Sequence, residues 1–184
     1  MISGMDMRHR LPHVVNAGII VVLLVGSFWL YPTLPGRLPH HFGIYGTADA
    51  YWETSLVRWL LVPGLAIVTA ATVYGPAWIL TDVPARWINV PNQEAYEALS
   101  DAEQKRILAL VQQVLYWMTT FTLLIFLAIQ GGIYYVAVTP VTSLPVFVLG
   151  MLAVGLLGIG GLTVGLVWRL PRRIEGLSAD DEDT

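Results

Sequence analysis

Cysteine is absent from all 184 residues. That excludes disulfides, thiolate metal sites and cysteine nucleophiles together. Lysine occurs once, as Lys105, against nine arginines, and charged residues make up only 12% of the chain, about half the ~25% usual in soluble domains. Apolar residues reach 55%, too many for so few charges to cover in water. They fall in a few long blocks, which is the pattern of a chain solvated by lipid. The chain closes on the acidic run Asp180-Asp181-Glu182-Asp183. Arginine bias with an acidic tail suits a GC-rich or salt-adapted prokaryote, although a short acidic tail is more often just a solvated end; no nucleic-acid partner is expected.

The blocks predict four spans. The first runs over about 14–31, behind Arg8, His9, Arg10 and His13; no small-residue cleavage site follows closely, so it is read as an uncleaved span and not a signal peptide. The second covers about 56–80 and contains Pro63 and Gly75-Pro76, where kinks are expected and breaks are not. Ser100-Asp101-Ala102-Glu103 reads as a capping box. The helix it opens is expected to run on to Val138, about 57 Å at ~1.5 Å per residue. A bilayer core takes only about 20 residues, so the membrane part is placed at about 110–138. Glu103, Lys105, Arg106 and Gln112 then project beyond it. Residues 139–145 make a tight turn, and the fourth span covers about 146–168, stopping at Arg169, Pro171, Arg172 and Arg173.

Between the spans lie a proline- and glycine-rich loop over 32–55, a second polar loop over 82–106, and a tail over 169–184. Arg8, Arg10, Arg86, Lys105, Arg106, Arg169, Arg172 and Arg173 fall on one side; Arg37 and Arg58 fall on the other. Basic residues collect on the cytoplasmic side, so both termini are expected inside, in a prokaryotic plasma membrane. Trp29, Tyr31, Trp52 and Trp59 mark one interface, and Trp78, Trp87, Trp117 and Trp168 the other. The fold class expected is therefore all-α and integral to the membrane. It is a four-helix bundle with an extracytoplasmic loop and a long third helix extending into the cytoplasm.

No Asp, Glu, Lys or Arg lies mid-span, which argues against a pump or a proton-coupled transporter. Thr69, Thr72, Tyr74, Thr119, Thr120, Thr122 and Gln130 are read as hydrogen-bonding between helices or to backbone. Gly161 and Gly165 form a small-xxx-small pair, read first as packing inside the bundle and second as a homo-oligomer seam. In the outer loop, His40, His41, Asp49 and Glu53 offer nitrogen and oxygen ligands to a divalent metal. No metalloprotease spacing accompanies them. The plainer reading is a folded cap in which a histidine hydrogen-bonds Asp49 or a carbonyl, and no cofactor is expected.

Leu38-Pro39-His40-His41-Phe42, followed by Gly46, Asp49 and Tyr51-Trp52, resembles the first loop of a widespread bacterial and archaeal membrane domain of unknown function. That domain forms the N-terminal part of the immunity proteins against the sporulation-delaying toxin. Asn89-Val90-Pro91-Asn92 resembles its second motif, one helix further on. The resemblance spans roughly 14–106 and implies Pro39, His41, Phe42, Gly46, Asp49, Asn89, Pro91 and Asn92 as characteristic residues. His40 falls on a variable position. Glu53-Thr54 stands where the family has a lysine, and Gln93 where it has a basic residue. Residues 107–184 show nothing of the immunity proteins' second domain, so toxin immunity is not carried over. The function expected is non-enzymatic binding of a peptide, lipid or membrane-protein partner through the outer loop or the cytoplasmic helix extension. A membrane enzyme using His41 and Asp49, or a small oligomeric transporter or channel, are the alternatives.

Overall fold

The computed structural model describes residues 3–84 and 87–182, with side chains described over 10–84 and 87–177. Arg86 and the side chains of Arg8 and of the acidic run Asp180–Asp183 lie outside this description. The chain is mostly helical, and four of its helices are long and apolar enough to cross a membrane. Helix α1 spans Ser3–Leu30 and passes through Pro12. A hairpin follows, with β1 over Arg37–Phe42 and β2 over Ala48–Glu53. A one-turn helix α2 (Leu56–Trp59) leads into α3 (Leu61–Ile79). Then come α4 (Gln93–Ala98), α5 (Asp101–Val138) and α6 (Val146–Glu182).

Helix α5 begins where the capping residues place it. The Glu103 carboxylate accepts from the Ser100 backbone N–H at 3.1 Å and from the Ser100 hydroxyl at 2.6 Å. It thereby closes donors that a helix start leaves open. The helix then runs 38 residues without interruption.

Four sequence expectations need correction. The second span is not one kinked helix: it breaks at Leu60, and Pro63 falls in the first turn of α3, where a missing N–H costs no helical bond. Pro76 does stay within α3. The fourth helix does not stop at Arg169-Leu170-Pro171; it continues through Pro171 to Glu182. Leu170 and Ile174 are buried there against Ile107 and Leu108 of α5, and that packing outweighs one lost hydrogen bond. The fold is not all-α, because residues 37–42 and 48–53 of the 32–55 loop pair as strands. Trp59 is no interfacial anchor but lies buried at 2% exposure.

The bundle is held in two ways. A small apolar centre joins Leu23 of α1, Ala66 and Ala70 of α3 and Leu123 of α5. Polar clamps tie the same helices. Asn16 donates to the Tyr116 carbonyl at 3.1 Å and accepts from Thr120 at 2.7 Å. Gln112 donates at 2.7 Å to the Ala77 carbonyl in the last turn of α3, which also accepts from the Leu80 N–H. Thr72, Thr119 and Thr122 bond backbone carbonyls in their own helices. Outward, Val25, Val68 and Leu157 are 62%, 60% and 75% exposed, an apolar exterior that only lipid accommodates.

α6 packs on α5 through Gly155 and Gly158. A Cβ there would come within 2.4 Å of Ile125 and of Phe121 respectively. At Gly161 and Gly165 no heavy atom lies within 4 Å of where a Cβ would stand. The packing role expected of the 161/165 pair therefore belongs to 155 and 158. The close approach uses the i, i+3 face turned to α5, and spacing alone does not say which glycines share it.

Candidate functional site at the hairpin end

The hairpin is short but firmly tied. Its strands pair antiparallel, with Arg37 opposite Glu53 and Phe42 opposite Ala48, and the register shifts around His41. Such a shift bends the ladder and re-aims a side chain. In the turn, Gly43 N–H donates to Thr47 O at 2.9 Å and Gly46 N–H to Gly43 O at 2.8 Å. Gly46 sits at φ +74°, a conformation that glycine adopts without a Cβ penalty. The segment between α5 and α6 adds a third backbone partner. Ala48 N–H donates to Thr142 O and Leu144 N–H to Gly46 O, each at 2.8 Å.

That frame brings His41 and Asp49 together across the hairpin, with Nδ1 and Oδ1 2.5 Å apart. A carboxylate only accepts, so the Nδ1 proton points at Asp49 and Nε2 is left outward. Both side chains remain open, at 65% and 53% exposure. An exposed pair of this kind contributes little stability. His40 is placed differently: its ring stacks on Trp52, with centroids 4.5 Å apart and planes 15° from parallel. Arg58 lies over the other part of this stack, 5.7 Å from the Trp52 ring centre, and donates to the Glu53 carbonyl at 2.7 Å. The four metal-ligand candidates are thus separated into one pair, one stacked ring and one strand-end carboxylate opposite Arg37. Among the described residues no three His, Asp or Glu side chains converge on a common point.

Beneath the hairpin lies a cavity of about 170 Å3 whose lining includes Pro39, His40, Trp52, Trp59 and Gln130. Pro39 and Leu38 are fully buried, so this proline closes the cavity roof. Gln130 donates to Ser27 Oγ at 3.1 Å and to the Trp59 carbonyl at 3.3 Å, and Trp59 Nε1 donates to the Ser27 carbonyl at 2.7 Å. Two polar atoms here lack partners, Trp52 Nε1 and Gln130 Oε1. Leaving such groups buried and unmatched costs about 1–3 kcal/mol each.

The second motif lies at the other end of the molecule. Asn89, Pro91 and Asn92 are exposed while Val90 is buried. Asn92 is the one non-glycine at positive φ among the described residues, +58°, in the left-handed region that asparagine tolerates better than most side chains. The motif bends the chain into α4 and does not meet the hairpin. A further polar group was not legible: His13 hydrogen-bonds the Tyr74 hydroxyl, and both rings lean on Tyr116. With Asn16 and Thr119 they border a cavity of about 320 Å3 between α1, α3 and α5. A histidine and an asparagine at a span's start look like flanking polarity until the partner helices are in place.

With this geometry in view, comparison with known sequences adds one finding. Residues 18–67 match the model of a family described as a domain of unknown function (DUF1648). The matched stretch takes in the C-terminal part of α1, the whole hairpin, α2 and the start of α3, and it leaves the Asn89–Asn92 motif outside. No curated protein and no solved structure matches the chain. The class defined here is a multi-pass membrane protein with four apolar helices, similar over residues 18–67 to that domain.

Proposed function

We propose that the protein is a non-enzymatic, membrane-embedded binding protein whose hairpin engages a peptide or membrane-protein partner outside the cytoplasm. The observation that carries this reading is the hairpin tip. Ile44 and Tyr45 are 93% and 86% exposed on a turn held by backbone bonds to the α5–α6 segment. Apolar side chains that a rigid frame keeps in the open suit an interface, because little ordering entropy remains to be lost on binding. His41 Nε2 and Asp49, a few residues away, supply polar groups to orient the partner. The basic residues, eight at the α4 end and in the terminal segments against two near the hairpin, support an outward hairpin and cytoplasmic termini.

A photo-crosslinking residue in place of Tyr45 tests this in cells. Adduct formation that disappears in the Ile44→Ser background supports an interface; an unchanged adduct in that background counts against it. For orientation, Thr47→Cys should react with an impermeant thiol reagent in intact cells and Glu94→Cys should not. The His41–Asp49 pair also favours a second reading, an acid–base or metal-assisted enzyme. Stoichiometric transition metal in the purified protein, lost in His41→Ala, would replace the binding reading with that one.

A further inference from the structure

Along α6, Gly161, Gly165, Arg169, Arg172, Arg173 and Gly176 share one face, falling within an arc of about 120° at ~100° per residue. Two adjoining cavities follow this face. One, of about 220 Å3, lies between Leu110 and Val114 of α5 and the Gly161–Gly165 stretch of α6. The other, of about 570 Å3, is bordered by Arg169, Arg172, Arg173 and Gly176. Leu110 and Arg169 line both, so the two form one groove, apolar at its inner end and cationic at its mouth.

We propose that this groove binds an anionic phospholipid, its phosphate held by Arg169, Arg172 and Arg173 and one acyl chain laid against Gly161 and Gly165. The charge faces outward: Arg169, Arg172 and Arg173 are all exposed. Arginine presents a planar fork that matches phosphate oxygens two at a time. The depth also fits. Arg172 sits 4.6 Å above the ring centre of Trp168, a side chain 67% exposed and of the type that settles at the headgroup level. From Arg172 to Gly161 is about 16 Å along the helix at ~1.5 Å per residue, from that level into the hydrocarbon. Basic pockets between membrane helices recognise headgroups by this combination.

A second copy of the chain fits the same face poorly. A two-fold seam places the same patch on both subunits. The glycines could meet only by bringing six arginines together.

The full-length protein in a neutral detergent, titrated with phosphatidylglycerol or with phosphatidylcholine of the same acyl chains and followed by native mass spectrometry, tests the assignment. Phosphatidylglycerol should be retained about tenfold better, and R169Q/R173Q should remove that preference, as expected from deleting two charge attractions at a membrane surface. G161L/G165L should weaken phosphatidylglycerol retention by filling the apolar end. Equal retention of the two lipids, or an unchanged preference in R169Q/R173Q, overturns the proposal. So does displacement of phosphatidylglycerol by an equal concentration of inorganic phosphate, which marks a free-anion site. A lipid-free dimer that G161L/G165L converts to monomer assigns the face to a second copy instead. If R169Q/R173Q fails to fold, R169K/R173K serves in its place: retention there with loss in Gly161→Leu supports the proposal, and the reverse overturns it.

Discussion

At the hairpin end, backbone hydrogen bonds hold the structure and side chains are left outside. At the α4 end, a buried apolar cluster holds it beneath exposed polar side chains. Val90, Tyr96, Leu99, Ile107, Leu108, Leu170 and Ile174 form that cluster, drawing on the inter-helix segment and on both long helices. The hairpin instead rests on ladder bonds, the Gly46 turn and the bridge to residues 142–144. The difference teaches where each end is vulnerable: one to lost volume, the other to lost backbone geometry. It also favours the hairpin as the interface, since a frame made of backbone leaves its side chains free to change partners.

The largest test of this contrast is Tyr96→Ala. Removing a fully buried ring should cost about 3–5 kcal/mol, and peptide-resolved hydrogen exchange should show α4 losing protection while residues 37–53 keep theirs. Equal loss at both ends would merge them into one cooperative unit. Gly46→Ala should act at the opposite end, costing about 1–2 kcal/mol for a Cβ in the left-handed region, with the hairpin amides and those near Leu144 exchanging faster.

Tyr96→Phe sharpens the comparison. The Tyr96 hydroxyl is buried without a partner, so its removal should leave stability unchanged or raise it by about 1 kcal/mol. Burial also lifts the Tyr96 pKa above its ordinary 10.0. The unfolded chain then releases this proton first. Stability is therefore full below about pH 10 and falls as pH climbs from there through the folded pKa. Thermal melts between pH 9 and 11, as order-of-magnitude bounds on that window, should show a steeper decline in the wild type than in Tyr96→Phe.

At Asn92, replacement by Ala should cost about 1 kcal/mol and replacement by Gly close to nothing; identical losses in the two would remove the positive φ from the explanation. The smallest expected effect is on stability in His41→Asn, below about 1 kcal/mol for so exposed a pair. A large loss there would make the pair a structural element of the hairpin and weaken its reading as part of an interface.

Much of this molecule was legible because lipid imposes a simple rule. A helix that crosses it needs an apolar run of set length, so the number of long helices and their approximate limits followed from the blocks. The start of α5 at Ser100 and Glu103 was equally local, a cap written in four residues. One contact was legible too: His41 and Asp49 stand among the positions the resemblance implies, and the structure joins them. What each of those residues does was less legible. Pro39 roofs a cavity, Gly46 and Asn92 supply unusual backbone angles, and His41 and Asp49 pair in the open.

By itself the sequence determined the solvent, the four apolar helices, the absence of thiol chemistry and the places where the chain must turn. These depend on composition and on neighbours within a few residues. Tertiary structure alone decided the strand pairing at residues 37–53, the run of α6 through Pro171, the burial of Trp59, and which glycines carry the α5–α6 contact. Each of those depends on a partner many positions away. Whether a proline is tolerated, a tryptophan reaches lipid or a glycine is filled is settled by the surface brought against it, and a linear pattern does not contain that surface.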